Sequence, residues 1–559
     1  MSALSSRFVP WRPYLGPVVV ALGSWLWIVC HLDPAGSYPD LPPGPGLTID
    51  ETFNVQQGVV MVEAVRTYGV GLLEPAVIRD VFSPPLHLPD HPPLGRLWLG
   101  VHHHLWWWLF PPDNPDGPFV TACARSGSAT AFALTILLVG SCSAMWYGSW
   151  SGLMTSLGFL LLPRVFGHAH LAALETMTNL TWSASVIAVA VAWDRAKPPT
   201  WQTAAWTGAV FGLALLTKIQ AVLIPLPIVI WALVRWRRQA LLPLVVWGLT
   251  GFVVFFVGWP WLWLDPVGHL RQYIGGAANR ATLSVWLWGH QYTDRDVPRI
   301  YALVFWLATV PIKVHVLAWL GWLTSPAANS GDPDLKPIAN RWTPGEFLLG
   351  AMSIWPLVVF SLPGVPIYDC ERLWLPGLVV WMIFFGRGAD HVVRKFAKWK
   401  PPLKPVVQAA LLLMTVAQVM MLGGYGPYYL SYYSGAAGGI SRASQVRQEM
   451  NYWGDAITRP LLERLVENVP QGATVAMTPV LHQFQTAELV RQSPILRRHG
   501  IQLVPLDPEA ALPPEYVLLF RRFADLPPGW RGQPEGYEVV AEVARSGVQL
   551  AAIYRRAAP

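Results

Sequence analysis

Apolar runs of membrane-crossing length alternate with short polar breaks along the first three-quarters of this chain. They fall at 14–30, 121–146, 148–162, 174–193, 203–217, 219–235, 241–263, 301–323, 346–362, 373–387 and 404–422. About 20 apolar residues cross the hydrocarbon of a bilayer, fewer where interfacial side chains flank them. The pattern predicts a mostly α-helical, polytopic transmembrane fold of about 11 helices. A further apolar stretch, 94–110, would be about 26 Å long as a helix. It carries His102, His103 and His104, then Trp106, Trp107 and Trp108, which suit an interface better than a hydrocarbon centre. It reads as a juxtamembrane helix lying in or dipping into the interface. Adjacent histidines point in different directions on a helix, so the triple is a poor metal site.

Beyond about residue 423 the period changes. Glycine-rich segments at 423–427 and 435–439 lead into a helical stretch, 441–468. Short strand-like runs follow at 474–477, 501–505, 516–520, 537–543 and 548–554, with a helix-like stretch at 484–498 among them. Two units result: a transmembrane domain, 1–425, and a small α/β domain, 426–559, of a size that can hold its own core. The transmembrane unit contains a first outer loop at 31–120 and another at 264–300. The first apolar run lacks a small-residue cleavage site and reads as an anchor rather than a cleaved signal peptide.

Lysine and arginine orient the spans. Basic clusters stand at Arg7 and Arg12, at Arg195 and Lys197, at Arg235, Arg237 and Arg238, and at Arg387, Arg394, Lys395, Lys398 and Lys400. With eleven spans all four clusters fall on the cytoplasmic side. The opposite face then receives residues 31–120 with Asp50 and Glu51, the loop after Leu162, residues 264–300 and 363–372, and the C-terminal unit. The expected place is the inner (plasma) membrane, with the chemistry on its periplasmic face.

Composition sharpens the picture. Of 559 residues 53% are hydrophobic and only 13% charged, where soluble proteins carry about a quarter. The 31 tryptophans fit interfacial belts. A net charge of +7 raises nucleic acid as a partner, but the basic residues sit in short clusters between apolar runs, as topology signals do. The four cysteines, Cys30, Cys123, Cys142 and Cys370, have neither metal spacing nor a disulfide framework. No glycine-rich phosphate loop or nucleophile triad spacing occurs.

The candidate chemistry lies in the outer segments. Asp50 and Glu51 follow the first span. Acidic groups held at a membrane need a reason to be there, and a functional role is one; capping a helix that runs through residue 57 is the other. The run Asp90-His-Pro-Pro-Leu-Gly-Arg96 enters the next helix through a proline pair. Residues 163–175 carry His168, His170 and Glu175; Gly212 and Thr217-Lys218 end a span. Lys218 either meets an anion or snorkels. Tyr292 lies in the outer loop after several tryptophans. In Pro366-Ile-Tyr-Asp-Cys-Glu-Arg372, Arg372 either binds an anion through its planar fork or closes its turn against Asp369.

These motifs, in this order, resemble the GT-C class of glycosyltransferases, in the branch of the protein O-mannosyltransferases and bacterial aminoarabinose transferases. The resemblance covers roughly 1–455. It implies an inverting transfer of a sugar from a polyprenyl-phosphate donor to a hydroxyl of a protein, lipid or glycan acceptor. It implies Asp50 as base, with Glu51 as a positioning carboxylate. His91, Arg96, Lys218 and Arg372 would hold the departing phosphate. Glu175, His168, Tyr292, Tyr368 and Asp369 would line the substrates. Relatives usually have Asp where Glu175 stands. Some bind a divalent metal and others need none, so no cofactor is fixed; His168, His170 and Glu175 are the metal candidates. A transporter or flippase of lipid-linked sugars is the rival, but it would carry its charges mid-span in broken helices rather than in outer loops.

Overall fold

The computed structural model describes residues 12–84, 87–278, 281–324, 342–510 and 512–558. Each of the eleven apolar runs is helical. They form α1 (Leu15–Val29), α5 (Thr121–Tyr147), α6 (Ser149–Leu160), α8 (Glu175–Ala192), α9 (Trp201–Leu215), α10 (Pro225–Trp236), α11 (Leu241–Val257), the bent pair α14 (Tyr301–Thr309) and α15 (Ile312–Leu323), α16 (Pro344–Val359), α17 (Leu375–Trp399) and α18 (Leu403–Tyr425). By length and composition alone, four helical segments among the described residues can cross a membrane, or five if the bent pair is one span. Two of the four are α5 and α18; one is α1 with the turn before it; the fourth, 39 residues long, joins α10 and α11. The other runs are shorter or carry more polar residues, and their burial against neighbours replaces lipid. Nearly every side chain in the first half of α17 is buried.

The first outer segment contains α2 (Ile49–Tyr68), α3 (Pro75–Val81) and α4 (Pro93–Leu109). Stretch 94–110 is thus a helix and is not among the candidate spans. It buries Arg96, Leu99 and His103 and exposes Val101, Leu105 and Trp108. α2 and α4 touch backbone to backbone: a Cβ on Gly100 would lie 2.1 Å from the Gly58 carbonyl oxygen. Only glycine permits that approach, and it fixes α2, with its acidic first turn, against the bundle. A short helix α7 (Pro163–His168) precedes α8; α12 (Trp261–Leu264), α13 (Pro266–Ala278) and the antiparallel hairpin β1 (Ser284–Leu287) and β2 (His290–Thr293) fill the second outer segment.

The C-terminal unit is α/β. Stretch 441–468 is two helices, α19 (Gly439–Gln445) and α20 (Arg459–Asn468), with a buried loop between them. Stretch 484–498 also divides, into α21 (Gln485–Gln492) and α22 (Pro494–His499), because Pro494 cannot continue the preceding helix. The five strands β3 (Thr474–Thr478), β4 (Gln502–Pro505), β5 (Tyr516–Phe520), β6 (Tyr537–Arg545) and β7 (Val548–Arg556) lie in the order β4-β3-β5-β7-β6. The pairs β3–β4 and β3–β5 are parallel, the other two antiparallel. This unit docks on the end of the bundle that carries α2. Arg498 pairs with Asp113 at 2.5 Å, and the Phe53 ring meets Phe484 at 4.7 Å.

Candidate active site

Glu51 and Asp50 divide their work at the start of α2. The Glu51 carboxylate takes the Thr48 backbone N–H at 2.9 Å, closing the helix end as a capping-box acid. It also receives both arms of Arg125 at 2.8 Å each and the Ala172 N–H at 2.7 Å. Glu51 and Arg125 are both fully buried. Glu51 therefore braces, and capping is done without Asp50. The Asp50 side chain, 27% exposed, turns instead to Arg372, where its Oδ2 accepts from Nη2.

Arg372 is the hub. Its Nε donates to Glu175 at 2.7 Å and its Nη1 to Asp369 at 3.1 Å. Its guanidinium lies 4.4 Å from the Trp453 ring centroid and 5.8 Å from that of Tyr368. Lys218 donates to Glu175 Oε1 at 2.6 Å. Burial pushes the Lys218 ammonium down, with Glu175 pulling the other way. Two cations and three carboxylates thus meet from four separate stretches of chain. Glu175 and Asn179 share one face of α8, one turn apart, and with Lys218, Gln220 and Arg372 they line a cleft too tight to hold a water molecule.

His91 stands beside these charges. Burial pushes its imidazole down to about 3, against the pull of Asp90 and helped by Arg96, Lys218 and Arg372. It is neutral at pH 7, and its buried Nδ1 has no hydrogen-bond partner among the described residues. It can offer a neutral N–H or lone pair, not a cation, to a phosphate.

Arg96 has a different task from the one its motif implies. It is 1% exposed and donates to Asn54 at 3.2 Å, to the Leu88 carbonyl at 2.8 Å and to Asp90 at 2.8 Å. All arms of its fork are spent holding the turn that carries His91, so it braces that turn rather than facing the cleft.

The remaining candidates separate. His168 pairs with Tyr452 Oη at 3.0 Å and stands edge-on to Trp453, one ring away from Arg372. Tyr452 donates to Glu371, which also takes Arg164 at 2.7 Å. Burial raises the Glu371 carboxyl, but Arg164 and His168 outweigh it and hold it below its usual range. Tyr292 lies on the neighbouring hairpin, its ring near His290. Just past that hairpin, Asp294 O accepts the Ile367 N–H at 2.8 Å. His170 bonds the Phe166 carbonyl and stacks on Tyr429. His168, His170 and Glu175 therefore diverge, and among the described residues no group of three or more His, Cys, Asp or Glu converges as metal ligands would.

Asp369 ties the site to the C-terminal unit. Asp369 and Cys370 both have left-handed backbone, φ +52° and +57°, which side chains rarely adopt and which is held where surroundings over-determine it. Here the Cys370 N–H donates to Tyr301 Oη at 3.1 Å, and Arg522, just past β5, donates to Asp369 Oδ1 at 3.0 Å. One carboxylate is thus shared by Arg372 and Arg522. Neither Arg125 nor Arg522 stands out in the motifs; Arg125 is legible as a charge inside an apolar run.

No family model matches this sequence, and no curated protein matches it. Among solved structures, ArnT from Cupriavidus metallidurans in the apo state is similar over 97% of this chain and 98% of that one, at 16% identity and a TM-score of 0.47. The same protein bound to undecaprenyl phosphate is similar over 96% and 97%, at 15% identity and a TM-score of 0.45. The Archaeoglobus fulgidus oligosaccharyltransferase tethered to an acceptor peptide is similar over 91% of this chain and 61% of its own, at 13% identity and a TM-score of 0.40.

Proposed function

We propose that this multi-pass membrane protein is an inverting glycosyltransferase. It takes a sugar from a polyprenyl-phosphate donor and passes it to an acceptor hydroxyl at the outer, periplasmic face of the inner membrane. The observation that carries the reading is the Asp50–Arg372–Glu175–Lys218 cluster: a half-buried carboxylate beside a buried guanidinium and ammonium. Such a set suits a reaction that takes up a proton at one point and releases a phosphate anion at another. The order of the motifs along the chain supports the same reading.

The donor phosphate approaches Arg372 and Lys218 and competes with Asp50 for the guanidinium. Its arrival releases Asp50 from that ion pair. Asp50 then takes the acceptor O–H proton as the acceptor oxygen bonds the anomeric carbon. The bond from that carbon to the phosphate oxygen breaks with inversion, and the electron pair leaves on the lipid phosphate. Arg372 and Lys218 stabilise the growing charge, and His91 offers a neutral hydrogen bond. Glu51 and Arg96 hold the backbone that aims these groups. The acceptor is a protein, lipid or glycan hydroxyl.

The charges gather at one end of the bundle rather than mid-span, which favours transfer over translocation. Purified protein supplied with radiolabelled undecaprenyl-phosphate sugars tests this: label should appear on an acceptor. Movement of labelled lipid between leaflets without transfer would make the protein a flippase.

Arg372→Lys keeps a charge but loses the planar fork, and donor affinity should fall about tenfold, as for one lost charge-assisted bond. Unchanged donor affinity with a lower melting temperature would leave Arg372 only a structural brace. Arg522→Met should lower kcat/KM by about threefold to tenfold, a range typical of groups coupled through a shared partner. In an Asp369→Asn background it should add little further loss, because Arg522 acts through that carboxylate. Full additivity in this double-mutant cycle would separate Arg522 from the site.

A further inference from the structure

The cleft beside Arg372 contains more hydrogen-bonding capacity than the protein uses. Asn179, 2% exposed, has no partner for either amide atom among the described residues. The same holds for Oε1 of Gln220, 8% exposed, and for Oε2 of Glu175, 2% exposed. Thr178, by contrast, is satisfied, donating to the Leu174 carbonyl at 2.7 Å. Buried polar groups are nearly always paired, and an orphan loses its hydrogen bonds to water with nothing in return. Apolar side chains of similar size would fill these positions without that penalty.

The chemistry of the free atoms restricts the ligand. Asn179 offers two donors and an acceptor; Glu175 Oε2 and Gln220 Oε1 offer acceptors only. Lys218 gives one of its three protons to Glu175. Free acceptors on a carboxylate and two amides disfavour an anion at this end of the cleft. Lys218 and Arg372 on its walls disfavour a metal cation. Mixed donors and acceptors suit a neutral ligand bearing several hydroxyls. Glu175 and Asn179, at i and i+4 on α8, put this polar end one helical turn from the Arg372 end.

We infer that Asn179, Gln220 and the free oxygen of Glu175 form a subsite for the hydroxyls of the donor sugar, separate from the groups that hold its phosphate. The inference rests on the donor reading above. Asn179 and Gln220 are then specificity-determining residues. The cleft as it stands is too tight for a water molecule and must open for the sugar to reach these amides, which the correct sugar then satisfies on binding. A sugar that lacks the matching hydroxyl leaves them buried and unpaired, which is how such sites reject close analogues.

The test uses the full chain in lipid nanodiscs and three ligands: undecaprenyl phosphate alone, and the same lipid carrying mannose or aminoarabinose. Binding and melting temperature are measured for wild type, Asn179→Leu and Gln220→Met. Wild type should bind one sugar-bearing lipid more tightly than the bare lipid. Each variant should lose about tenfold of that sugar-dependent affinity, as expected for one or two unmade hydrogen bonds. Bare-lipid binding should be unchanged, and the unliganded melting temperature should hold or rise. A fall in melting temperature with equal weakening of bare and sugar-bearing lipid, in both variants, would make these amides structural and overturn the subsite. So would a wild type that binds sugar-bearing and bare lipid equally, which leaves the phosphate reading standing. A wild type that binds none of the lipids would remove the donor reading itself, and the subsite with it.

Discussion

Asp50→Asn should lower turnover by about 10²–10⁴-fold, the usual worth of a positioned general base. The amide keeps the shape of the carboxylate but cannot accept a proton from the acceptor hydroxyl. The fold should survive, because Asp50 does no structural work that its neighbours do not already do. The α2 end is closed by Thr48 and Glu51, and Arg372 keeps Glu175 and Asp369 as partners. Donor binding should even strengthen slightly, since the phosphate no longer displaces a carboxylate from Arg372. Turnover, donor affinity and melting temperature measured together check the assignment. Near-normal turnover in a well-folded Asp50→Asn protein would move the base elsewhere. Lost turnover together with lost donor binding would instead make Asp50 part of the binding frame.

Much of the helical framework is legible in the sequence, because a membrane forces its apolar runs to be long and its backbone to pair within each run. What the runs do not reveal is how much of each faces protein. α17 is buried along half its length while α18 is mostly exposed, although both read as apolar spans. The site is legible as residues and not as an arrangement. Asp50, Glu175, Lys218 and Arg372 each lie at a span edge, where charge is conspicuous against an apolar background. Their meeting depends on how α2, α8, α9 and α17 pack. Arg96 shows the limit: a motif fixes where a side chain sits along the chain, but Asn54 and Asp90 decide where it points. Arg522 lies about 150 residues beyond Arg372, and only the docking of a separate unit brings it to Asp369. The splitting of 441–468 and 484–498 has local causes, a proline in one and an irregular buried loop in the other.

Arg125→Met should destabilise the protein by about 3–5 kcal/mol, the cost of leaving a buried charge without its partner. Arg125 donates to both oxygens of Glu51 and to the carbonyls of Leu32, Pro45 and Gly46. One guanidinium therefore joins α5 to the end of α1, to the loop before α2 and to α2 itself. Methionine fills the space but leaves the Glu51 carboxylate buried with only N–H and hydroxyl donors. Removing that charge as well, in Arg125→Met with Glu51→Leu, should recover part of the loss. The recovery stays partial because the three carbonyls still lack partners and the second change takes the acceptor from the Ala172 and Thr48 N–H groups. Melting temperatures should therefore rank wild type first, the double variant second and Arg125→Met last. A single variant as stable as wild type would show that the pair is dispensable. Wherever folded protein survives, turnover should fall further than stability predicts, because Glu51 fixes the first turn of α2 and the next residue back is Asp50. On the proposed reading, orientation of Asp50 is then the property that Arg125 supports through Glu51.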